Sequence, residues 1–217
     1  MFNLSTSVLI SRILTLIIAF TIHEFSHAWV ADRLGDSTPR QYGRLTLNPL
    51  RHLDFMGSLL LIIAGFGWAK PTPINPAALQ KRSPAGLMWV SLAGPLSNFI
   101  MALIAALPLR LGWISSKTSL ITSQILPTPY EFLSEFIFLN LLLMLFNLIP
   151  LPPLDGDKIT EYFAPPLLAR IMNVIRPYGS LVLMVLIFLP QFFGVDILSW
   201  MMVPVLPNLW NLLIGGA

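Results

Sequence analysis

The chain has 217 residues, of which 55% are hydrophobic and 11% charged, with a mean hydropathy of +0.75. Ordinary soluble domains carry roughly 25% charged residues, and 13 basic plus 10 acidic side chains cannot cover a globule of this size, which excludes a soluble enzyme in favour of a membrane protein. The absence of cysteine excludes disulfides and thiolate metal sites, and the net charge of +3 is read as topology and contact with anionic lipid, with no nucleic-acid partner.

The N-terminal run MFNLSTSVLISRILTLIIAF lacks a basic leader and a small-residue cleavage site and is expected to be retained. A span needs about 20 apolar residues, and suitable stretches fall at Val8–Ala31, Leu87–Leu111, Phe132–Ile149 and Leu181–Val203. Met56–Trp68 is short and broken by Gly65 and Gly67, which suggests a re-entrant or interfacial piece. Arg40–Leu47 alternates loosely, and the prolines of AKPTPINP (Ala69–Pro76) impose extended backbone, so short strands are expected in this loop. Pro190, Gly194 and Asp196 interrupt the last run, leaving open one span followed by an interfacial helix near Trp200–Leu213, or two crossings. The expected fold is an all-α polytopic membrane protein of four to six transmembrane segments, with short β-strands or a re-entrant segment after the first helix. Residues 1–217 form one domain.

Basic residues favour the cytoplasmic side. Arg33, Arg40, Arg44, Arg51, Lys70, Lys81 and Arg82 fall between the first two spans, and Lys158, Arg170 and Arg176 follow the third, while Arg110 and Lys117 lie opposite. The N-terminus is therefore expected outside.

The first span carries His23-Glu24-Phe25-Ser26-His27. Residues four apart sit about 40° apart around a helix, so both imidazoles can grip one metal ion while Glu24, about 100° from His23, reaches a metal-bound water. Charge deep in a span costs about 2.5–3.5 kcal/mol on insertion scales and marks a functional interior. A catalytic metal needs a third protein ligand and one open position. His52 is expected on the surface of the basic loop NPLRHLD, so Asp155 in FNLIPLPPLDGDK is preferred. There Pro150, Pro152 and Pro153 stop a helix, and Gly156 is expected to permit a tight turn. From an outside start, about 1.5 Å of rise per residue brings His23 near the cytoplasmic side, the level at which Asp155 leaves the third span.

HEFSH on a transmembrane helix, AGPLSN (Ala93–Asn98) opening a later helix, and FNLIPLPPLDGDK (Phe146–Lys158) together resemble the site-2 protease family of intramembrane metallopeptidases. The resemblance implies one Zn2+ per chain, held by His23, His27 and Asp155, with Glu24 activating water. Asn147, eight residues before Asp155, would position substrate or stabilise the oxyanion. Transmembrane proteins are the expected substrates, cut near the cytoplasmic face of a bacterial or archaeal cell membrane. AGPLSN also reads as a helix-packing motif, with Pro95 suited to a first turn; Asn98, together with Asn75 of KPTPINP, is a candidate substrate-binding residue. The extended segment could hold substrate by β-addition. The sequence has no PDZ insertion or regulatory domain and looks like a minimal core. The alternatives are a metal-ion transporter and a catalytically inactive membrane scaffold.

Overall fold

The computed structural model describes residues 5–57, 67–115 and 125–215, and among them the regular secondary structure is helical apart from one isolated bridge. Four helical stretches are long and apolar enough to cross a membrane: Thr6–Arg33, Gly86–Arg110, Pro129–Asn147 and Pro166–Pro190. The protein is a multi-pass membrane protein.

Helix α1 (Thr6–Arg33) starts where the Ser5 hydroxyl accepts from the Val8 amide. Its buried face repeats every four residues through Ser7, Ser11, Thr15, Ala19, His23, His27 and Ala31. Small side chains at this spacing let backbones approach closely, which is how helices associate where lipid is as apolar as leucine. The metal-binding motif continues that stripe. Against it lie α4 (Gly86–Arg110) and α5 (Pro129–Asn147), the latter opened by a reciprocal Thr128–Glu131 capping box. Ala102, Ala106, Leu109, Ile137, Leu141 and Met144 join α4 to α5, and Leu213 of α10 (Leu206–Ile214) closes the same cluster. An Arg12–Glu135 ion pair ties α1 to α5 within the spans.

The loop after α1 departs from the expected strands. Thr38–Gln41 is a short helix, α2, and residues 42–47 are turn and bend. Residues 69–74 form neither helix nor strand, and among the described residues their pairing is one isolated bridge, Leu53 with Ala69. Arg44 explains the arrangement: it is 4% exposed and donates to the Lys70 and Pro71 carbonyls, both at 3.0 Å, spending on side-chain contacts what a strand would offer a neighbour. Asp36, also buried, accepts from the Asn75 amide at 2.6 Å and docks α3 (Pro76–Arg82). Most of Met56–Trp68 lies outside the described residues.

His52 is another correction, because it is fully buried and donates from Nε2 to the Thr46 carbonyl at 2.7 Å. A basic neighbourhood in sequence does not make a surface when the loop folds back on itself. Pro95 likewise lies inside α4, not in its first turn, and removes one amide from the helix ladder.

After the third span, α6 (Asp155–Phe163) begins at Asp155 itself, with Asp155 and Asp157 in the turn where the helix dipole favours negative charge. Gly156 serves close approach, not a tight turn, since a Cβ there would collide with the Leu148 and Ile149 carbonyl oxygens. Buried Asp157 and Glu161 each receive two hydrogen bonds from Arg176, fastening α6 to the fourth span. That span comprises α7 (Pro166–Ile175), a 3₁₀ turn and α8 (Gly179–Phe193), so it lies earlier than Leu181–Val203. Its end is set by left-handed Gly194 at φ 68° and by Asp196, which caps α9 (Ile197–Met202).

Gly156→Ala is expected to cost about 1–3 kcal/mol through overpacking. Thermal unfolding in detergent measures this, and an unchanged midpoint would contradict the packing described.

Candidate metal centre

Three elements deliver the site. The α1 stripe presents His23 and His27, α6 presents Asp155 from its first turn, and α4 crosses behind the imidazoles. His23 Nε2 and His27 Nε2 lie 3.2 and 3.3 Å from the same carboxylate oxygen, Asp155 Oδ2. One ligand atom from each of the three residues falls within 4.8 Å of the others.

Both imidazoles are turned by hydrogen bonds at their far nitrogens. His27 Nδ1 donates to the Val90 carbonyl at 2.7 Å, and His23 Nδ1 donates to Asn98 Oδ1 at 2.6 Å. With Nδ1 protonated, each neutral ring keeps its lone pair on Nε2. Two lone pairs and a carboxylate oxygen then converge on one point, the donor set that a metal ion takes.

Two further observations fit a metal ion. Asp155 Oδ2 is buried and, beyond the two imidazole nitrogens it faces, has no hydrogen-bond partner among the described residues, as expected of an oxygen reserved for coordination. Gly94 of α4 faces both Nε2 atoms so closely that a Cβ would overlap them, so its missing side chain makes the hollow. A set of two histidines and one carboxylate suits zinc, and the outer hydrogen bonds to Asn98 and Val90 are of the kind that orient metal ligands.

Glu24 lines the same cavity as the three candidate ligands, about 330 Å³ in volume, together with Trp68, Thr72, Asn147, Leu183 and Ile187. Its Oε2 accepts from the Thr72 amide at 2.7 Å, and the Thr72 hydroxyl donates to the Glu24 carbonyl at 3.0 Å. Prolines 71 and 73 have no N–H, so Thr72 supplies the only backbone donor of that triplet and spends it on Glu24. The sequence therefore held a signal for Thr72 that motif reading overlooks.

The remaining candidates separate. Asn147 lines the cavity while donating one N–H to the Leu143 carbonyl at 2.9 Å, which leaves a second N–H for other use. Asn98 is completely buried behind His23 and is not among the residues lining the cavity. Asn75 caps α3, its side chain accepting from the Ala77 and Ala78 amides. Lys70–Thr72 is pinned in place, with the Lys70 amide bonded to His52 and the Thr72 amide to Glu24, while Arg44 holds the Lys70 and Pro71 carbonyls. That stretch is no open edge for β-addition.

The family model for peptidase family M50 matches residues 11–123, which contain both histidines, Glu24, Gly94 and Asn98. The chain belongs to peptidase family M50, the site-2 protease family. It is 45% identical over 178 residues to "Putative zinc metalloprotease YwhC" of Bacillus subtilis, covering 82% of this chain and 80% of that one. It is also similar to two proteins named "Putative zinc metalloprotease Rip2". One, from Mycolicibacterium smegmatis, is 31% identical over 80% of this chain and 65% of its own length; the other, from Mycobacterium tuberculosis, is 30% identical over 82% and 68%. No solved structure matches the chain.

Gly94→Ala is expected to weaken zinc binding about tenfold or more, as loss of ligand orientation does. Folding should survive, because alanine favours the helix by about 1 kcal/mol. Competition with a chromophoric zinc chelator reads the affinity, and wild-type affinity would refute the hollow.

Proposed function

We propose that this M50 protein is an intramembrane zinc metalloendopeptidase that hydrolyses peptide bonds of membrane-spanning proteins near the cytoplasmic face, with one zinc ion per chain. The observation that carries the reading is the convergence of His23, His27 and Asp155 on one point, with Glu24 in the same cavity. The names of the relatives point to the same metal and reaction class.

Zinc bound by His23, His27 and Asp155 would supply Lewis-acid polarisation of the attacking water and the scissile carbonyl. Glu24 is the general base: one carboxylate oxygen is anchored by Thr72, which leaves the other to take a proton from water and return it to the departing amine. Asn147 is the candidate donor to the carbonyl oxygen of the substrate, through the N–H not given to Leu143. The largely apolar cavity between α1, the Thr72 segment and α8 suits an unwound stretch of a substrate span, and residues of low helix propensity near the cut would ease the unwinding. With Arg170 and Arg176 inside the fourth span, eight basic residues on one side of the spans against two on the other favour a site facing the cytoplasm of a bacterial or archaeal cell.

Glu24→Gln is expected to retain zinc and lose cleavage of a model transmembrane substrate by about 10²–10⁴-fold. In the same assay Asn147→Leu should lose about 10²–10³-fold. Full cleavage by zinc-loaded Glu24→Gln overturns the mechanism, and metal flux into liposomes without cleavage would favour a transporter.

Because the chain has no cysteine, single substitutions report its orientation. A membrane-impermeant maleimide applied to intact cells should label Lys117→Cys and spare Arg51→Cys. The opposite pattern reverses the topology.

A further inference from the structure

Two asparagines in the interior lie outside any direct role in hydrolysis. Asn98 and Asn140 are both fully buried, and they join His23 of α1 through α4 to the backbone of α5. A side-chain amide can exchange its oxygen and nitrogen at little steric cost, so one asparagine alone leaves the polarity of its hydrogen bonds undetermined. Here the polarity is fixed from the far end. The Phe136 carbonyl oxygen can only accept, so the Asn140 group 2.9 Å away is its NH₂. Asn140 Oδ1 is thereby turned toward Asn98, where it can only accept, and Asn98 contributes its NH₂ at 2.9 Å. That leaves Asn98 Oδ1 against His23 Nδ1 at 2.6 Å, so His23 must be the donor.

We propose that Asn140 is a positioning residue of the metal centre, setting the tautomer and ring orientation of His23 through Asn98. The proposal rests on the reading of His23 as a metal ligand. His27 needs no such relay, because its Nδ1 meets a backbone carbonyl that cannot reverse. His23 meets an amide that can. If Asn98 reversed, its NH₂ would face Nδ1–H, and the ring would relieve the clash by moving its proton to Nε2, the nitrogen directed at Asp155. That tautomer has no lone pair for a metal. Asn140 prevents the reversal because a reversed Asn98 would set its oxygen against Asn140 Oδ1, and Asn140 is held by Phe136. Both amides are fully buried among the helices, where solvent does not reach to soften the penalty.

Cobalt(II) titration of the purified full-length protein tests this, using the visible d–d bands of the bound ion as readout. Asn140→Leu is expected to weaken cobalt affinity about tenfold, the lower end of the range for outer hydrogen-bond partners of metal ligands. Asn140→Asp should retain most of the affinity, since a buried protonated carboxyl can donate to Phe136 and accept from Asn98. In an Asn98→Ala background, Asn140→Leu should cost nothing further, because the relay is already cut. A purely structural role would instead lower the unfolding midpoint of the metal-free protein and leave cobalt affinity unchanged. Wild-type affinity in Asn140→Leu overturns the proposal, as does an undiminished loss in the Asn98→Ala background. If Asn140→Leu does not fold, Asn140→Ser, whose hydroxyl reaches Phe136 but stops short of Asn98, takes its place with the same two outcomes. His23→Ala is the control for the underlying assignment: wild-type affinity there means that His23 is no ligand, whereas loss in His23→Ala with none in Asn140→Leu refutes the relay alone.

Discussion

A polar group at membrane depth must find its partner within the protein, because hydrocarbon offers none. Two imidazoles and a carboxylate meeting among transmembrane helices raise that requirement to its limit. The structure meets it atom by atom. Nδ1 of each histidine is committed to an oxygen of α4, and Glu24 is committed to the Thr72 amide. What remains uncommitted is the set of atoms facing one another, the two Nε2 lone pairs and Asp155 Oδ2. The site is thus defined as much by what surrounds the ligands as by the ligands.

The same constraint explains the choice of residues in the helices. A seven-member stripe on α1 brings small or polar side chains to the interior every fourth position, and the two histidines take two of those places. Close approach by α4 needs the absence of a side chain at Gly94, and close approach by α6 needs it at Gly156. Both glycines act as spacers for the metal centre, one opening room beside the imidazoles and the other letting the Asp155 helix seat against the end of the third span.

The loop between α1 and α3 has a different task. Arg44, Asp36 and His52 are charged or titratable side chains in the protein interior, and each bonds backbone groups of the same loop region. Their combined effect is to lay the Pro71–Pro73 stretch against Glu24. Sequence pattern suggested an extended strand here and a surface position for His52, because alternation and local charge are averages over neighbours. Neither registers a guanidinium that reaches 26 or 27 residues along the chain to grip two carbonyls.

The sequence by itself determined the membrane class, the first three spans to within a few residues, and the catalytic-type motif on the first helix. Hydropathy and i,i+4 spacing are local properties that survive any tertiary arrangement. The arrival of Asp155 opposite His23 was anticipated by counting residues across the bilayer, a constraint that the membrane imposes on one dimension only. Everything depending on the other two dimensions was decided by the fold: the place of Asn98 behind His23, the choice of Glu24 as partner of the Thr72 amide, and the relay from Asn140. These are contacts between residues 42 to 75 positions apart, and no spacing rule along one chain encodes which faces of separate helices will meet.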